Sequence, residues 1–192
     1  LAEILKPYLE WPAAAAGGSI AQRVNELARQ AARQLHEAIS QPEGNKTEKL
    51  SKVSGVAKLR FGWQSRALPL RKLDSLKLAK AVSQLAGLGS GLTPAGDDYL
   101  MGVMAALWLL EQPEIPPQIA SMAIPKTTAL SAAFLQAAGQ GQFIESWHNL
   151  VYALNSGDIE TIGGAVERIA HFGASSGRDA LAGFSAALLK AV

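Results

Sequence analysis

A glycine–x–aspartate–x–leucine–x–glycine pattern occurs twice in this chain, about eighty residues apart, and it narrows the folds open to the sequence. TPAGDDYLMGVMAAL (residues 93–107) aligns with ASSGRDALAGFSAAL (residues 174–188). Gly96, Asp98, Leu100 and Gly102 meet identical residues at Gly177, Asp179, Leu181 and Gly183, and three further matches follow at Ala105, Ala106 and Leu107. The alanine matches carry little weight in an alanine-rich chain; the spaced glycines and aspartates carry more. At 3.6 residues per turn, Asp98, Gly102 and Ala105 share one helix face, as do Asp179, Gly183 and Ala186. Glycine inside a helix costs roughly 1 kcal/mol relative to alanine, so it marks a place where another backbone comes close. The repeat predicts two helices that cross near Gly102 and Gly183 as a pseudo-symmetric pair. It also predicts that their N-terminal turns, with Asp98 and Asp179, open into one shared cleft.

The apolar spacing elsewhere is helical too. Ile20, Val24, Leu27, Ala31, Leu35 and Ala38 form a stripe over residues 20–39. Further helices are predicted over 73–86, 98–110, 128–138, 143–154, 159–170 and 179–189, with Gly139, Gly141, Gly157 and Gly173 at their ends. Pro113, Pro116 and Pro117 act as breakers, and the polar stretch 41–54 is a surface loop. Residues 58–70 lack a helical period and are expected to form a short extended segment. No run of alternating strands appears, so the expected class is all-α, a helical bundle containing two turn–helix units. One helical domain over 1–192 is expected, with N-terminal helices and a loop in 1–70 and the repeat-bearing core in 71–192. The chain opens at Leu1 rather than methionine, and an N-terminal part is expected to precede it.

Composition closes off several classes of function. With 48% hydrophobic and 18% charged residues the chain is globular rather than disordered. A net charge of +2 without a Lys/Arg block gives no footprint for nucleic acid. The absence of cysteine removes thiol catalysis, disulfides and Cys-based zinc sites. No stretch has the length of a membrane span, no end resembles a signal peptide, and the expected setting is the cytoplasm.

The first turn, Gly87-Leu88-Gly89-Ser90-Gly91-Leu92-Thr93-Pro94-Ala95-Gly96-Asp97-Asp98, concentrates the chemical signals. Alternating glycines permit positive φ and leave backbone N–H groups uncovered. Thr93 is a suitable N-cap and Pro94 a suitable first helical residue. Free amides at the positive end of a helix suit a carboxylate or phosphate. The turn lacks the Gly-Lys-Ser/Thr ending of a Walker loop, and no strand precedes it as in a dinucleotide fingerprint. The plainer alternative is a glycine stop followed by a well-capped helix. Asp97, Asp98 and Asp179 are candidate acid/base groups. They are also candidates for Mg²⁺, a reading ranked below hydrogen bonding because no larger acidic cluster accompanies them. Arg178 stands where the first copy has Asp97, and a cation at a helix N-terminus calls for a partner such as Asp97 or a bound anion. Lys126, Thr127 and Thr128 open a helix and are oxyanion contacts or a cap. His171 is an ordinary helix-end histidine, and His148 borders the stripe Phe143, Trp147, Leu150 and Leu154. Arg60, Trp63 and Arg66 form a candidate ligand wall.

These residues resemble a family. LAGLGSGLTPAGDDYLMGVMAAL (residues 85–107) is similar to the signature of bacterial proteins labelled uncharacterised or carboxylase-like, better described as the helical subunit family of oxamate carbamoyltransferase. Its loop has Ser where this chain has Ala95. Residues 126–143 and 171–184 match as well, with tryptophan common in the family at the position of Arg178. The resemblance implies a subunit that works with partner proteins to move a carbamoyl group between oxamate and phosphate, in allantoin and purine nitrogen breakdown. No cofactor is expected, Mg²⁺ being the one alternative. The expected site then has Gly89, Ser90, Gly91, Thr93, Gly96, Ser176 and Gly177 around a small anion. Asp98 and Asp179 would orient the amide nitrogen, and Lys126, Thr127 or Arg178 would contact the anion. A non-catalytic scaffold or partner-binding subunit is the alternative, distinguished by an apolar patch rather than a deep polar pocket beside the turn.

Overall fold

The computed structural model describes residues 1–9, 11, 26, 29–35, 37–38 and 75–191. Among these the regular structure is entirely helical. The predicted loop at 41–54, the extended segment at 58–70 and the candidates Arg60, Trp63 and Arg66 lie outside the described residues. Of the predicted helix at 20–39, residues 26, 29–35 and 37–38 are described and helical.

The elements are α1 (Ala2–Leu5), a 3-10 turn (Lys6–Tyr8), α2 (Ser75–Leu85), α3 (Ala95–Leu109), α4 (Pro116–Ala123), a second 3-10 turn (Ile124–Lys126), α5 (Ala129–Gly139), α6 (Glu145–Ser156), α7 (Ile159–Ala170) and α8 (Ser176–Ala191). Helix α4 was not expected, because its prolines suggested a break. Pro116 and Pro117 instead occupy its first turn, where a missing N–H costs nothing and the fixed φ favours the helix. Thr128 caps α5 by accepting from the Ser131 amide, as the sequence predicted.

The centre of the molecule is the α3–α8 pair. Helix α3 is buried on nearly every side, which explains a sequence almost without polar residues after Asp98. The two helices cross at the predicted glycines. A Cβ on Gly102 would lie 1.7 Å from the carbonyl oxygen of Ala180, and one on Gly183 would lie 2.0 Å from that of Tyr99. Backbone meets backbone there, with no room for a methyl group on either side. Around this pair α2 packs on α4, α4 on α5, α5 on α3, α6 on α7 and α7 on α8. Trp147 of α6 packs against Phe184 of α8 with ring centroids 5.3 Å apart. The buried residues form one cluster that takes in Leu5, Trp11 and Leu35 from the N-terminal part. Among the described residues, no helix is long and apolar enough to cross a membrane.

Candidate functional site

Each of the two central helices starts against the end of the helix before it. The Leu88 amide donates to Leu85 and the Gly96 amide to Leu88; in the second unit Phe172 donates to Ile169 and Gly177 to Phe172. Gly96 and Gly177 also repeat each other sterically, since a Cβ on either would meet the carbonyl oxygen of Leu85 or Ile169 within 2.0 Å or 1.8 Å. The units differ in the length of the turn. The first is three residues longer, and the surplus carries Gly89, Ser90, Gly91 and Leu92 into solvent.

Two expectations about this turn need correction. Pro94, not Thr93, is the N-cap residue, and the Pro94 carbonyl takes the amides of both Asp97 and Asp98. The first amides of α3 are thus largely occupied by the chain's own carbonyls, as is that of Gly177 in α8. Released from capping, the Thr93 hydroxyl shares a hydrogen bond of 2.9 Å with the Ser176 hydroxyl, which ties the two turns together.

Beside that contact lies a cavity of about 220 Å³. Its polar end is formed by Thr93, Asp98 and Ser176, with Gly177 alongside. Apart from the amide of Gln142, its walls are apolar: Met101 of α3, Phe134 of α5, Phe143, Ile144 and Trp147 around the start of α6, Phe172 before α8, and Ala180. Asp98 is 3% exposed. The Ser176 and Thr93 hydroxyls lie near its carboxyl and favour the charged form, and among the described residues its Oδ2 has no hydrogen-bond partner. Burial pushes the Asp98 carboxyl up to about 7. The nearby charges of Asp179 and Asp97 act in the same direction, against the two hydroxyls. The polar end therefore holds a group that exchanges its proton close to neutrality.

The other predicted residues do not gather there. Asp179 is buried but turned away from the cavity, accepting the Trp11 Nε1–H at 2.7 Å and a hydrogen bond from Ser175. Asp98 borders the cavity and Asp179 does not, although the charge of Asp179 is near enough to act on Asp98. Asp97 is a structural acceptor for three donors: the Gly87 amide and the Ser131 hydroxyl, each at 2.8 Å, and the Thr127 hydroxyl. It fastens the first turn to the start of α5, which accounts for both Asp97 and Thr127. Lys126 and Arg178 are exposed and do not line the cavity, and Arg178 makes no ion pair with Asp97 among the described residues. Gly89, Ser90 and Gly91 are also outside it, and Gly96 is buried beneath Leu85. No cluster of three acidic or histidine side chains suited to a metal ion occurs among the described residues. His171 stays near Glu167 on the surface, and His148 is exposed.

Sequence reasoning missed the aromatic walls and Trp11. Phe143 and Trp147 were visible as a helical stripe, but a stripe does not distinguish core from cavity lining. Nothing local to Trp11 signals its contact with a residue 168 positions away.

The family model for Oxamate carbamoyltransferase subunit AllH matches residues 85–188, which contain both turn–helix units and every residue of the cavity. No solved structure matches the chain.

Proposed function

The chain belongs to the oxamate carbamoyltransferase subunit AllH family, and from that membership we propose that it contributes a substrate site of a carbamoyltransferase in allantoin and purine nitrogen breakdown. The site is the cavity at the joined starts of α3 and α8. The substrate placed here is oxamate, a small planar anion that carries an amide. Two helix N-termini converge on Thr93 and Ser176 and favour the carboxylate end through their dipoles, and the hydroxyl that is not donating to the other is its hydrogen-bond donor. The observation that carries the reading is the Asp98 carboxyl, the one ionisable side chain in the cavity lining, buried and with its Oδ2 unpartnered among the described residues.

In the transfer, the oxamate amide nitrogen attacks the carbonyl carbon of carbamoyl phosphate. A C–N bond forms, the bond from that carbon to the phosphate oxygen breaks, and phosphate leaves. The proton lost by the nitrogen goes to Asp98, whose carboxyl, raised to about 7 by burial, is matched to such an exchange at neutral pH. The apolar walls keep water from competing for the carbamoyl group. Among the described residues, neither Lys126 nor Arg178 reaches the cavity.

The test is steady-state kinetics of the assembled enzyme carrying Asp98→Asn. The expected result is a fall in kcat/KM of about 10²-fold or more, with the helical content unchanged. Full activity in that variant overturns the assignment.

A second reading, a non-catalytic partner-binding subunit, draws support from the mouth of the cavity. Phe134, Ile144 and Phe172 are exposed there, and Leu92 and Leu130 are exposed nearby on the first turn and α5. An assembly that retains activity with Asp98→Asn but loses this subunit with Phe172→Ser favours this reading.

A further inference from the structure

The molecule contains its own example of what an aspartate in this position accepts. Asp98 and Asp179 are equivalent in the two units, as are Ala180 and Tyr99, whose carbonyl groups receive the opposing glycines at the crossing. In one pairing, Asp179 of α8 and Tyr99 of α3 hold the indole of Trp11. Its ring lies 4.3 Å from the Tyr99 ring at 35°, and its N–H donates to Asp179. In the counterpart pairing, Asp98 of α3 and Ala180 of α8 border the cavity. The smaller Ala180 leaves the space that Tyr99 fills in the counterpart, and Phe134, Phe143 and Trp147 supply aromatic surface instead. Asp179 Oδ1 has its N–H donor; Asp98 Oδ2, at 3% residue exposure, has none among the described residues.

We propose that the cavity binds a flat, largely apolar small molecule that donates an N–H to the Asp98 carboxylate, as Trp11 does to that of Asp179, with indole the simplest member of the class. This goes beyond carbamoyl transfer. Oxamate uses the same carboxylate but has no surface to set against aromatic walls, whereas a ring covers both. A planar N–H ring loses little conformational freedom on binding, and the buried acceptor penalises any ligand that leaves it unpaired.

Titration calorimetry of the full chain with indole, 1-methylindole and oxamate tests the proposal. Indole is expected to bind with a dissociation constant on the order of 0.1 mM. 1-Methylindole keeps the ring but lacks the N–H, and its affinity is expected to be at least about tenfold lower. Phe134→Ala, at a half-open wall where the fold tolerates truncation, is expected to weaken indole severalfold and so locate it in the cavity. Equal affinity for the two indoles overturns the proposal, as does unchanged indole binding in Phe134→Ala, or no binding up to about ten times the expected constant. The oxamate titration reads the carbamoyltransferase assignment separately: oxamate binding without indole binding leaves that assignment standing and removes this one.

Discussion

The two turn–helix units have the same backbone plan and different occupants. Both start under the carbonyl of a preceding helix, both cross at a glycine, and both carry a buried aspartate on the first turn. At Asp179 the chain fills the adjoining space with Trp11; at Asp98 it leaves a cavity with an unpaired oxygen. The shared parts are those that packing dictates, and the differing parts are those that decide what the molecule can bind. The strongest way to break this view is at the crossing itself. Gly102→Ala and Gly183→Ala each force a methyl group onto a carbonyl oxygen of the other helix, which cannot yield without parting the core. Each is expected to cost at least about 4 kcal/mol in urea unfolding, or to prevent folding. A mild effect at one glycine and a severe one at the other would end the claim that the units are sterically equivalent.

Trp11 separates the units next. Trp11→Ala removes a buried ring and leaves Asp179 without its donor, an expected loss of about 3 kcal/mol. Trp11→Phe keeps most of the ring and removes the N–H, an expected loss of about 1–2 kcal/mol. Thermal unfolding of the two variants measures the difference. If they are equally destabilised, the N–H contributes nothing and the analogy with Asp98 fails.

Asp97 and Arg178, at matching positions, give a smaller contrast. Asp97→Ala strands the Gly87 amide and the Ser131 and Thr127 hydroxyls, an expected cost of about 2 kcal/mol in urea unfolding. Arg178 is exposed, and Arg178→Ala is expected to stay within about 0.5 kcal/mol of the parent.

These positions also show where the sequence was legible. The glycine spacing located the α3–α8 crossing because a missing Cβ has one common cause inside a helix, and that cause acts between two backbones. Helix α7 was predicted with its observed ends, since Asp158 caps it and its apolar period is clean. The site was legible only in part. Asp98 was marked out by its place in the repeat, but so were Asp97 and Asp179, and one-dimensional spacing gives all three the same rank. Their fates depend on donors 10 to 168 positions away: Gly87, Thr127 and Ser131 for one, Trp11 for another. The use made of the helix-start amides of Gly96, Asp97 and Asp98 was illegible for a related reason. Glycine content predicts that amides are accessible to a partner, but not whether the next turn's carbonyls, here Leu88 and Pro94, reach the helix amides first.

The last contrast is read against pH rather than as a single loss: the dependence that Asp98 imposes on stability. Its carboxyl ionises at about 3.8 when exposed and at about 7 when folded, so over that interval the native state holds a proton that the unfolded chain has lost. Stability from this group is fully present below pH 3.8 and is lost as pH rises through about 7. Asp98→Asn mimics the protonated form and removes the dependence. Relative to the parent, the variant is expected to be more stable at pH 8, with the difference shrinking steadily on acidification and vanishing near pH 4. Urea midpoints at several pH values measure it. Asp179, raised by burial in the same direction but hydrogen-bonded to Trp11 and Ser175, has its charged form partly compensated. Asp179→Asn is therefore expected to gain less at pH 8 than Asp98→Asn. If the order is reversed, Asp179 bears the greater penalty for ionising, and the distinction drawn between the open and the filled unit is wrong.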